Sequence, residues 1–462
     1  MPTQGGDFVH GEWWVANPLE GSDDYGPPKR ADRISGALRE IADGEFALET
    51  IGCLDDTSTL ISDDSDSESS SSRSHIWGSS RDENCISLLD CQRLSRTEPS
   101  PSIAGGHEDW AVGWLATGNA WVTPEAQCST SWLTTDDLRA WALHERTDNT
   151  VSFEADDTAT VDLGDETLGT VNVGGINFSL VRFPEHSRQH RWDADGRLFS
   201  VNNAVSWKLE GQLALGAVVE EWANCVERFV RFVTMRPSVI SGTECRLLGS
   251  DDRPQSVKLT LRRLPRNGAP SARDASGDIR PHEFLATWNS FSKHGIDPMQ
   301  MFGQYVVEVQ RGDAYVSMIS HLESQDRLLS RGADVALLNG VRSVEAQFIY
   351  ENPGIDEQKV HIKTKINDAA DNAGDVGKQV RSAWSAFDDI NNLRKQVAHG
   401  KSRPGADFGL RCLGGAWSLQ WIQRFHLLRT LGADETAAAT MICENPRFKR
   451  DLGSLKMWSN EL

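Results

Sequence analysis

The 462-residue chain contains no apolar run near the roughly 18 residues needed to cross a bilayer. Its opening, MPTQGGDFVHGEWW, has no basic stretch followed by an apolar one. Neither a membrane partner nor an export signal is expected. No CxxC pair occurs among the eight cysteines, at 53, 85, 91, 128, 225, 245, 412 and 443. Scattered thiols in a chain this long read as reduced and mostly buried, the usage of a cytoplasmic protein. Cys85 and Cys91, six apart in CISLLDC, are expected on one strand face, turned toward a core. There is no GxxxxGK[ST] loop and no GxGxxG after a strand, so nucleotide hydrolysis and dinucleotide binding have no support. No GxSxG elbow appears. His186 and His190 in HSRQH lack the glutamate of HExxH and read as a surface loop rather than a metal site. The expectation is no cofactor and no metal.

What the chain does contain is enough apolar material for real cores: 39% hydrophobic residues and 16 tryptophans. Its length suggests two to four domains at about 100–200 residues each. The net charge of −20 argues at first against a nucleic-acid partner. The distribution says more. Residues 1–110 hold 22 acids and 8 bases, whereas 378–430 hold nine bases and three acids, a net of +6. That window reads either as chance fluctuation or as a basic surface for phosphate.

GEWWV, EFALETIGCL, CISLLDCQRL and SVKLTLRRL have strand character between turn signals, and residues 150–210 alternate with period two. Trp13 and Trp14 read as a core or edge-strand pair more readily than as a stacking platform. Residues 56–82, rich in Ser and Asp, read as a low-complexity surface loop. In LGAVVEEWANCVERFVRFVTM the period changes to helical, with Val218, Trp222, Val226 and Val230 four apart. From about 285 the pattern is helical to the end. The expected fold class is therefore α+β: a β-rich N-terminal region of antiparallel, sandwich-like sheets over 1–285, with a loop at 56–82, then an all-α bundle over 286–462.

The stretch NNLRKQVAHGKSRPG, residues 391–405, carries the chemistry. Phe387, Ile390, Leu393 and Val397 form the stripe such a helix would bury. Arg394 and His399, with four residues between them, lie about 140° apart around a helix axis and about 7.5 Å along it, on opposite sides of that stripe. One helix cannot easily bring both to one phosphate, but two copies about a two-fold axis could. Histidine can take the proton of a ribose 2′-hydroxyl and protonate the leaving 5′-oxygen. Arginine can hold the phosphate. This reaction needs no metal. Cations also simply suit a helix C-terminus, which is the plainer alternative.

LRKQVAHG on a late helix resembles the RX4-6H motif of HEPN (higher eukaryotes and prokaryotes nucleotide-binding) domains. NGVRSVEAQFIY resembles the Glu-bearing helix that precedes it. GEWWVANP, SGALREIADGEFALETIGCL, CISLLDC, AGGHEDWAVGWLATGNAWV and DDLRAWA follow in an order similar to the N-terminal domain of the ApeA-like anti-phage defence family. The resemblance implies an HEPN endoribonuclease that cuts RNA, transfer RNA being one candidate, and aborts phage growth when a phage component triggers it. It implies Arg394 and His399 as the catalytic pair of a homodimer or higher oligomer. Lys395, Lys401 and Arg403 are expected to hold the RNA backbone. Lys395 stands where many HEPN motifs have Asn, and the alternative is a non-catalytic HEPN-type module that binds RNA or a protein.

Overall fold

The structure is a computed structural model. It describes residues 8–15, 33–42, 45–52, 54, 74–80, 85–97, 106–135, 137–143, 150–152, 165–185, 198–200, 202–236, 238, 240–248, 255–261, 280–311, 332–399 and 406–461. His186 and His190 lie outside these, as does most of the 56–82 tract. Among the described residues the strands are β1 (Phe8–Val15), β2 (Ile34–Ala42), β3 (Glu45–Ile51), β4 (Ser74–Ser80), β5 (Cys85–Thr97), β6 (His107–Val112), β7 (Trp114–Gly118), β8 (Gln127–Thr135), β9 (Thr150–Ser152), β10 (Glu166–Val173), β11 (Ile176–Glu185), β12 (Leu198–Ser200), β13 (Asn202–Ala214), β14 (Ile240–Leu247) and β15 (Gln255–Leu261). No described helix is long and apolar enough to cross a membrane.

The chain forms two compact units: 1–134, 207–224 and 240–272 in one, and 135–206, 225–239 and 273–462 in the other. A single boundary at 285 does not coincide with this division. The period-two segment around 166–185 and the helix after residue 222 belong with the C-terminal helices.

The first unit is an antiparallel barrel that continues into a sheet, rather than a sandwich. The cause is β5, whose 13 residues serve two neighbours in succession. Cys85–Leu89 pair with β7, while Gln92–Thr97 turn to pair with β6. The order β5-β4-β1-β2-β3-β6 thereby closes on itself, and β7, β15, β14, β8 and β13 extend the sheet from the other side of β5. Closure removes the free edges that an open sheet would expose.

Two sequence expectations change here. Ser74–Ser80, inside the supposed loop 56–82, is β4, because Ile76 and Trp77 supply apolar side chains that are 0% and 3% exposed. Cys85 and Cys91 do not share a face. The β4–β5 register slips between Ile76↔Leu88 and Ser74↔Cys91, and Asp90 sits there at φ 54°. This bulge inverts the alternation, so Ile86, Leu88 and Cys91 all enter the barrel core while Cys85 stays half-buried outside it. The seven described cysteines are all free.

Trp13 fills the barrel and is fully buried, with Leu38, Leu48, Ile76 and Trp110 around it. Trp14, on the opposite face of β1, is buried edge-on against Trp121 at 5.5 Å. Both tryptophans are core residues, so neither offers a stacking surface. Gly78 makes room for the Trp13 ring, which occupies the place of any Cβ there.

In the second unit β10 and β11 form a hairpin through Gly174 and Gly175, both at positive φ, as a two-residue turn of this hand requires. Its helices are α1 (Leu138–Leu143), α2 (Ala223–Thr234), α3 (Trp288–Lys293), α4 (Pro298–Arg311), α5 (Ala333–Glu351), α6 (Ile362–Asn372), α7 (Gly374–Ala383), α8 (Ile390–His399), α9 (Ala406–Thr430), α10 (Glu435–Glu444) and α11 (Pro446–Glu461). Phe229 of α2 packs edge-on against Trp141, Phe302 and Tyr305 within 5.9 Å, and Phe302 reaches Phe178 of the hairpin. Beyond this aromatic core, α5 and α9 pair most extensively and anchor the remaining helices. The segment 362–399 holds three helices. Gly374 at φ 55° ends one, and the Trp384 turn ends the next.

Gly78→Ala is expected to overpack the barrel and lower its stability by about 1–3 kcal/mol. Urea unfolding followed by tryptophan fluorescence reads this, and an unchanged midpoint would contradict the packing described.

Candidate functional site

The helix that carries Arg394 and His399 is placed by a tryptophan wedge. Trp384, fully buried, lies against Gly414 and Gly415 in the middle of α9. A Cβ on Gly414 would come 2.8 Å from the Trp384 ring, and one on Gly415 2.7 Å from Leu337. The two glycines admit Trp384 and then Ile390, so α8 settles beside α5, α6 and α9. Phe387, Ile390 and Leu393 are buried, as the stripe predicts, and Val397 is half-buried. Asp388 and Asp389 precede the helix at its positive end.

Arg394 and Lys395 line a groove of about 690 Å³ between α8 and the start of α6. His361, Lys363, Asn367 and Asn391 also line it. The described lining includes no carboxylate. Among the described residues Arg394 makes no ion pair, and its Nε is buried without a hydrogen bond. Asn391 Oδ1, one turn earlier, is likewise buried and unpaired. Such atoms cost about 1–3 kcal/mol each unless water or another partner satisfies them, and Arg381 and Arg424 of the same bundle each carry one at Nε as well. In a chain of net charge −20, an acid-free groove with three permanent cations is a marked local reversal.

The structure brings Arg394 and Lys395 together. It does not bring His399 into the groove: this residue is exposed at the last position of α8. Lys401 and Arg403 lie outside the described residues. The basic window 378–430 is less of a surface than its sum suggests. Lys378 pairs with Asp375, Arg381 with Asp371, Arg424 is buried against Trp421, and Arg429 donates to the Ala433 carbonyl. Among the described residues no group of three or more His, Cys, Asp or Glu could hold a metal ion.

The α6 wall of the groove is held by a polar ladder, buried except at Glu351. Ser343, Gln347 and Glu351 follow four apart on α5 and meet Gln423 and His426 of α9. His426 Nδ1 lies 3.3 Å from Glu351 and Nε2 lies 2.8 Å from the Ala369 carbonyl of α6. Both ring nitrogens face oxygen atoms. The helix preceding the motif thus contributes Glu351 to this network, while Glu345, the acid inside NGVRSVEAQFIY, is half-buried elsewhere on the helix.

His361, Lys363 and Asn367 were missed from the sequence because they precede Arg394 by about 30 residues. One signal was available. HIKTK opens a helix with lysines and no acid, against the helix dipole.

No family model, no curated protein and no solved structure matches this chain.

Burial raises the Glu351 carboxyl, but its hydrogen bond to His426 and that ring's charge outweigh burial and hold it below the usual carboxylate range. A carboxyl depressed on folding adds stability above its unfolded pKa, about 4.3, and loses it as pH falls through the folded value. Glu351→Gln is therefore expected to cost about 1 kcal/mol at pH 7, discounted for partial exposure. The gap should shrink below about pH 4. Thermal midpoints at both pH values read this, and a gap that widens on acidification would contradict it.

Proposed function

We propose that the chain is a metal-independent HEPN-type endoribonuclease of ApeA-like anti-phage defence, with Arg394 as phosphate anchor and His399 as general acid and base. The observation that carries this reading is the Arg394 guanidinium, without an ion pair among the described residues, in a groove whose described lining holds no acid, on the same helix as an exposed histidine. Neutral His399 takes the proton of a ribose 2′-hydroxyl as its oxygen attacks the neighbouring phosphorus. The 5′-oxygen leaves and takes a proton from the imidazolium, giving a 2′,3′-cyclic phosphate and a 5′-hydroxyl. Arg394 offsets the charge that builds on the phosphoryl oxygens. Because about 140° of helix separates the two side chains, a second copy completes the site, its histidine meeting the first copy's arginine. Lys395, Lys401 and Arg403 hold adjoining backbone. Infection releases the activity, a phage component being the trigger and transfer RNA one candidate target.

The second reading is a non-catalytic HEPN-type module that binds RNA or a protein. Lys395 favours it, since it adds charge beside Arg394 where many such motifs carry a polar amide.

Arg394→Ala and His399→Ala should each lower RNA cleavage by at least about 100-fold while far-UV circular dichroism is unchanged. Cleavage by the wild type should survive EDTA and leave 2′,3′-cyclic phosphate ends. Undiminished cutting by either variant, or a strict need for magnesium, would remove this assignment. Tight RNA binding with no scission, with and without phage extract, would select the second reading.

A further inference from the structure

The groove has two walls, and only one belongs to the motif helix. The other is the first turn of α6, where His361 occupies the cap position without a side-chain capping hydrogen bond and Lys363 follows at the second helical position. No acid lies in that turn. Thr364 and Lys365 amides are satisfied by the His361 carbonyl, which leaves the first amides of the helix without an intrahelical partner. Lys363 makes no ion pair among the described residues and is exposed. A cation at the positive end of a helix is unfavourable by itself, and an anion bound there reverses the sign for both. Across the groove stand Arg394, with its unpaired Nε, and Lys395. Two positive walls face one space whose described lining includes no carboxylate, and at about 690 Å³ that space is far larger than a single phosphate needs.

We propose that the α6 wall, Lys363 with His361 and the leading amides of the helix, binds a second phosphate of single-stranded RNA. That phosphate is the one next in line to the phosphate held by Arg394. The groove thus takes two consecutive phosphodiesters and fixes the direction in which the strand crosses α8. This rests on the nuclease reading for its substrate class, but the anion site itself does not require cleavage. Lys363 is a positioning residue: it touches backbone and leaves the bond-breaking to the motif helix. Asn367 and Asn391 line the space between the walls.

The test uses the full chain and a fluorescein-labelled 12-nucleotide RNA with 2′-O-methyl riboses, which cannot be cut by 2′-hydroxyl attack. Anisotropy titrations at several salt concentrations compare wild type, Lys363→Glu and, as a control, Lys456→Glu, an exposed cation on α11 outside the groove. Lys363→Glu should weaken binding at least about tenfold at low salt and reduce the salt slope by about 0.7 for one lost phosphate contact. Lys456→Glu should bind as wild type does. Wild-type affinity and slope in Lys363→Glu would overturn the proposal. So would displacement of the RNA by a nucleoside monophosphate at matching concentration, since one phosphate would then suffice. Unmodified RNA separates the two claims. Binding that depends on Lys363 with no cutting leaves the groove and removes the nuclease. Cutting that depends on Arg394 but not on Lys363, in rate or in KM, removes only the second phosphate site.

Discussion

A guanidinium that folding leaves without a carboxylate is the constraint on which this site turns. Arg394 is partly buried, and among the described residues its Nε has no hydrogen bond and no acid lines the space beside it. Some cations elsewhere in the same bundle, Lys378, Arg381 and Arg450, find carboxylates. A chain with 67 acids and 47 bases had acids to spare. Leaving this groove without one costs stability and is the pattern expected of a surface shaped for an anionic ligand rather than for the fold alone.

The fold makes that exposure affordable by fixing both walls from behind. Trp384 and the Gly414–Gly415 pair set the depth of α8, and the ladder from Ser343 to His426 ties α6 to α5 and α9. Neither device touches the groove. Rigid backing of this kind lets an unpaired charge persist.

Much of this architecture was legible in the sequence where it depended on local period. Phe387, Ile390 and Leu393 announced the buried face of α8, because a helix repeats every 3.6 residues. What depended on long-range pairing was not legible. One bulged residue, Asp90, inverted the alternation of β5, so that Cys91 entered the core without Cys85. The strand Ser74–Ser80 hid inside a serine-rich tract because two apolar residues suffice when both faces of a strand are covered. The candidate site was half legible. Arg394, Lys395 and His399 stood out as one short motif, but the wall bearing Lys363 comes from another helix, and only packing brings it across.

The most direct measurement is the position of RNA on the chain. A crystal or cryo-EM structure with an uncleavable 2′-O-methyl RNA should place one phosphate within hydrogen-bond distance of the Arg394 guanidinium. The next phosphate along the strand should lie at Lys363 and the start of α6. RNA bound on another face, with this groove left empty, would contradict the account.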